Sequence, residues 1–140
     1  MKYTIVLLLT CWLSNIAFAA NVTIPKQFQG IWLKETWVKE NGCPKQEIID
    51  GGMFDDVDGM TIEKTIKEKS ITWYEGYCGL VKLKLIDSQK TLIIGKFNCG
   101  SEDIRWKSTI KLHLLLDNNI LEWKDLDSKK LSIFYLCEAK

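Results

Sequence analysis

Residues Ile104 to Leu116 alternate apolar and polar side chains with few breaks. Ile104, Trp106, Ser108, Ile110, Leu112, Leu114 and Leu116 share one phase, and Arg105, Lys107, Thr109, Lys111 and His113 share the other. A period of two describes a strand with one face in a core and one in water. Asp117-Asn118-Asn119-Ile120 then turns the chain. With Asn118-Asn119 at the centre, Leu121 falls opposite Leu116 and Trp123 opposite Leu114, so both join the apolar face. Asp125 to Lys130 turns the chain again. Phe134 and Leu136 continue the inner face, while Tyr135 and Cys137 look outward.

The same reading extends upstream. Phe28 to Val38 reads as a strand containing Gly30. Residues 60–66 and 70–75 read as a hairpin turning at Lys67-Glu68-Lys69, although Ile62 and Ile66, four apart, also suit a short helix. Strands at 78–86 and 91–98 flank the turn Asp87-Ser88-Gln89-Lys90. With 104–116, 120–125 and 131–137, the count is eight, and all connections but one are short. The expected fold class is therefore all-β, an antiparallel meander. Eight such strands lose their edges by closing into a barrel, whose interior holds side chains or one small ligand. The long connection runs from Lys39 to Gly59 and contains Gly42, Gly51, Gly52 and Gly59. Loops of that length usually have a job. In a barrel this one lies at a rim, placed to act as a lid.

The chain opens with MKYTIVLLLTCWLSNIAFAA. A basic Lys2, an apolar run and the small-residue signal Ala17-Phe18-Ala19 describe a signal peptide over residues 1–19. Residues 20–140 then form a single domain. After cleavage no remaining segment is apolar for long enough to span a membrane as a helix. Setting aside Cys11 leaves Cys43, Cys78, Cys99 and Cys137, an even number that reads as two disulfides in an exported protein. Centring the first hairpin turn on Ser88-Gln89 puts Cys78 opposite Cys99, Leu83 opposite Ile94 and Leu85 opposite Leu92. Cys78–Cys99 is the expected bridge, and Cys43–Cys137 follows by elimination. There is no Cys-x-x-Cys pair, so the cysteines give no reason to expect a metal. Eighteen lysines against one arginine, with the short basic leader, suggest a bacterium and hence a periplasmic or secreted protein.

Composition narrows the function. The 140 residues are 46% hydrophobic and 26% charged, ordinary for a folded domain. The net charge is +1, and loss of Lys2 with the leader brings it to zero, so no nucleic-acid partner is expected. A single histidine, His113, excludes histidine-pair chemistry and falls on an outer face among lysines. There is no Gly-x-Ser-x-Gly, P-loop or dinucleotide fingerprint, and the pair Glu102-Asp103 lacks any sign of a cleft. Asp55-Asp56-Val57-Asp58-Gly59 fails the calcium-loop spacing and reads as a solvated acidic loop. No cofactor, metal or catalytic residue is expected, and the protein reads as a non-enzyme. The aromatic residues Trp37, Trp73, Tyr74 and Trp106 remain. Alternation puts Trp106 in the core. Trp73 and Tyr74 are neighbours on one strand, so one of them faces away from it. With Trp37, they are the candidates for contact with a ligand or partner.

Phe28-Gln29-Gly30-Ile31-Trp32 resembles the G-x-W opening of the lipocalin and related calycin barrels. The strand count, the leader and the long first loop are similar too. The resemblance implies that Gly30 permits a tight bend and that Trp32 plugs one end of the barrel. Tyr135-Leu136-Cys137 is similar to the ending of small exported bacterial proteins with four spaced cysteines. The resulting expectation is an exported binding protein taking a small apolar ligand in the barrel or a protein at its rim. The alternatives are a periplasmic inhibitor or immunity protein against a cell-wall hydrolase or toxin, and, less favoured, an enzyme on a barrel scaffold.

Overall fold

The computed structural model describes residues 22–43, 63–73, 75–115 and 117–137. Eight strands follow one another around a closed antiparallel barrel: β1 (Gly30–Lys34), β2 (Glu63–Ile66), β3 (Ser70–Trp73), β4 (Gly76–Leu85), β5 (Leu92–Ser101), β6 (Arg105–Leu115), β7 (Ile120–Asp125) and β8 (Leu131–Leu136). The last strand pairs with the first through Trp32–Leu136, Leu33–Tyr135 and Lys34–Phe134. Residues 63–66 are strand, which settles the helix alternative there. Both disulfides have the expected partners, Cys43–Cys137 and Cys78–Cys99.

One end of the barrel is plugged. Residues 26–28 form a 3-10 turn that carries Phe28 across this end, with Ile24 beside it; both are fully buried. The backbone N–H of Ile24 donates to the Glu68 carbonyl at 2.7 Å, and the Trp32 indole N–H donates to the Phe28 carbonyl at 2.8 Å. Ile66, Ile71, Ile93, Leu112, Leu114, Leu121 and Phe134 belong to the same buried core as this plug. Gly30 sits at φ 140°, and a Cβ there would lie 3.0 Å from Leu136 Cδ1. Only glycine takes that backbone without strain. The bend it allows turns the plug segment into β1.

Four expectations need correction. The first strand does not run from Phe28 to Val38. Phe28 belongs to the 3-10 turn, and α1 (Glu35–Asn41) replaces the strand after Lys34. A strand would send the adjacent Trp37 and Val38 to opposite faces. On the helix both reach the outer barrel wall, where they pack with Leu33, Ile31 and Cys137. A Glu35–Lys39 ion pair at 2.6 Å spans one turn of this helix. Gly42 at φ 72° ends it.

The second correction is register. Cys78 does face Cys99, but a bulge between Leu80 and Lys82 then shifts the ladder. Leu83 pairs with Gly95, Lys84 with Ile94 and Leu85 with Ile93. The cause is a phase slip in β4. Cys78 and Leu80 occupy even positions, whereas Leu83 and Leu85 occupy odd ones. Without an extra residue, Lys82 and Lys84 would enter the barrel. Val81 absorbs the slip and is 59% exposed.

The third is the β6–β7 turn. Leu121 pairs with Leu114 and Trp123 with Leu112. The shift is by two residues, so the faces are preserved. The turn centres on Asp117-Asn118, whose φ values of 54° and 66° suit a type I′ hairpin.

The fourth concerns the start of β6. Trp106 is 38% exposed and Ile104 64% exposed. Their phase is inward, but they lie beyond the buried layers, near the end opposite the plug. Ser108, Ile110, Leu112 and Leu114 are buried on the same strand, as the alternation predicts.

Candidate binding site at the barrel rim

The end opposite the plug, called the rim here, is framed by Lys34, the start of β2, and the β3–β4, β5–β6 and β7–β8 turns. Residues paired directly across antiparallel strands share a face, which identifies the inward side chains at this level. Trp32 is in the core and faces Lys64, so Lys64 points inward. Lys34 pairs with the buried Phe134 and shares its face. Ile110 is buried and pairs with Asp125, so Asp125 also faces the lumen.

Lys64 stands among indoles. Its Nζ lies 3.8 Å from the Trp73 ring centroid and 5.5 Å from that of Trp123. Trp73 meets Trp106 at 6.3 Å between centroids with an interplanar angle of 50°, and Trp123 meets Phe134 at 6.2 Å. Gly76 makes room for Trp73, since a Cβ there would come within 2.4 Å of the indole. Below them, the Cys78–Cys99 bridge is buried in the same core.

The electrostatics at Lys64 are set by burial and by like charge. Burial pushes the Lys64 ammonium down from 10.5 to about 8, and the positive fields of Lys130 and Lys34 push it the same way. Among the described residues Lys64 forms no ion pair. Asp125 is committed elsewhere. Burial works against its charge, but the backbone N–H of Ser128, the Ser108 hydroxyl and the backbone N–H of Asp127 outweigh it and hold its carboxyl below the usual range. Ser108 Oγ donates to Asp125 Oδ2 at 3.1 Å. Among the described residues, the rim therefore combines apolar aromatic faces with an inward Lys64 that has no ion-pair partner.

Of the residues singled out from sequence, Trp73 lies at this site and Trp106 joins it. Trp37 does not; it packs on the outer wall from α1. Tyr74 and the acidic run 55–58 lie outside the described residues, as does most of the 39–59 connection. His113 is on the outer face as expected, with Nδ1 3.1 Å from Glu122 Oε2. Lys64, Lys34, Lys130 and Trp123 were not anticipated as site residues. The signal for Lys64 is present in the sequence: it keeps the phase of Ile62 and Ile66, so a strand through Ile66 carries it inward.

No helix among the described residues is long and apolar enough to cross a membrane. No family model matches the chain, and no curated protein or solved structure matches it at a significant level.

Proposed function

We propose that this is an exported, non-enzymatic binding protein of lipocalin-like type, released from its leader into the periplasm or medium. Its working end is the rim, where a small, largely apolar ligand enters the barrel. The observation that carries the reading is the asymmetry of the two ends. One is filled by Ile24, Phe28 and Trp32, while the other presents Trp73, Trp106 and Trp123, with the inward Lys64 against the first and last of these indoles. The G-x-W glycine and tryptophan at the plug, the eight-stranded closed meander and the two disulfides support the lipocalin comparison.

A fluorescent fatty-acid probe tests the reading. Saturable binding that quenches tryptophan emission, weakened about tenfold by Trp73→Ala or Trp106→Ala, is the expected result. No binding at high micromolar probe overturns it.

A second reading, a protein partner at the rim, is favoured by the exposed Ile104 (64%) and the half-exposed Trp106. It includes inhibition of a cell-wall hydrolase or toxin. Inhibition of such a hydrolase that is lost in Ile104→Asp would favour this reading over the first.

A further inference from the structure

Lys64 is the inward side chain that the proposed apolar cargo leaves unexplained. A strand position between Trp32 and Ile66 would ordinarily hold an aliphatic residue, because burying an ammonium without a counter-charge is costly. The charged groups nearest to it make matters worse. Lys34 on β1 and Lys130 in the β7–β8 turn are both cationic and oppose its charge. Asp125 on β7 is an inward carboxylate at this level, and Ser108, Asp127 and Ser128 occupy it. The indoles of Trp73 and Trp123 favour the ammonium but do not neutralise it.

We infer that the rim is built for an anionic ligand with a flat apolar body, whose acid group seats on Lys64 Nζ while its body lies against Trp73, Trp106 and Trp123. This rests on the reading of the rim as the ligand site and names the ligand's chemistry. The arrangement distributes the work. The indoles supply area, Lys64 supplies a point charge that is already partly desolvated, and Lys34 and Lys130 draw the acid toward the rim. Seating the anion also restores the proton that burial and the neighbouring lysines disfavour, so binding takes up protons in mildly alkaline solution.

The test uses the mature protein and a matched pair of probes, naphthalene-2-carboxylate and naphthalene-2-carboxamide. Tryptophan quenching gives the two affinities. Calorimetry at pH 9, in buffers of unlike ionisation enthalpy, gives the protons taken up. The carboxylate is expected to bind about tenfold tighter than the amide or better. In Lys64→Met its affinity falls to that of the amide, while amide binding is retained. Lys64→Arg keeps the preference for the acid but loses the proton uptake, because arginine stays charged. Equal binding of acid and amide by the wild type, or a preference that survives Lys64→Met, overturns this inference and leaves the rim site standing. Failure of both probes to bind overturns the rim site and the inference together.

Discussion

Two residues act on the stability of the fold in opposite directions. Gly30 serves the fold: at φ 140°, with Leu136 Cδ1 3.0 Å from where a Cβ would stand, it has no substitute. Gly30→Ala is expected to destabilise by about 2 kcal/mol in denaturant titration, since strain and contact both oppose it. Lys64 does the reverse. Its amine is held near 8 in the folded chain against 10.5 when unfolded. Below pH 8 both states carry the charge, but burial and the neighbouring lysines oppose it only in the folded one. Above 10.5 neither state carries it. The stability associated with Lys64 therefore rises with pH across that window. Lys64→Met is expected to be more stable than the wild type by about 2 kcal/mol at pH 7, with the difference closing toward pH 10.5. Paired melts of the two proteins across this range measure it, and a constant difference would refute the assignment. A residue that weakens its own fold is what a binding site, rather than a core, tends to keep.

At the level of strands, the bulge in β4 decides what lines the barrel. Deleting Val81 puts Lys82 and Lys84 in the inward phase, against the strictly alternating Ile93, Gly95, Phe97 and Cys99 of β5. The deletion is expected to cost about 4 kcal/mol or more and to leave little cooperative unfolding, as read by circular dichroism during a melt. The bulge was legible in principle, because Cys78 and Leu80 fall in one phase and Leu83 and Leu85 in the other. A symmetric hairpin centred on Ser88-Gln89 satisfies the cysteines but hides the slip. The strands themselves were legible because inward residues alternate with lysines and threonines along β6, and because polar turns punctuate the hairpins. The helix α1 was not. It has only seven residues, and Trp37 and Val38 favour strands as readily; its face is chosen by the outer wall formed by Leu33 and Cys137. The rim site was half legible. Trp73 and Trp106 stand out as large aromatics, but Lys64, Trp123, Lys34 and Lys130 meet only when β1, β2 and β7 curve together. That meeting is a property of closure and has no local signature.

Closure is also where the whole molecule is most vulnerable. The β1–β8 seam joins the two ends of the described chain, whereas β4 and β5 are paired along their full length from Gly76–Ser101 to Leu85–Ile93. The two disulfides act on these unequal regions. Cys43–Cys137, with a sequence separation of 94, fastens the end of α1 beside the seam. Cys78–Cys99, with a separation of 21, bridges strands that a short hairpin already holds together. Loop-closure entropy assigns about 4.7 kcal/mol to the first and about 3.3 kcal/mol to the second. Packing changes how these losses appear. Cys43 is exposed, so Cys43→Ala with Cys137→Ala mainly frees the unfolded chain and loosens the seam. Cys78 and Cys99 are both 2% exposed, so replacing them also leaves a void beneath Trp106, which pairs with Cys99. Native-state hydrogen exchange separates the two effects. The first double variant is expected to speed exchange in β1 and β8 while β4, β5 and β6 stay protected. The second is expected to loosen β4 to β6 and to weaken probe binding at the rim. If the first variant instead exchanged uniformly, the seam would not be a separable unit, and α1 and its bridge would belong to the same cooperative core as the barrel.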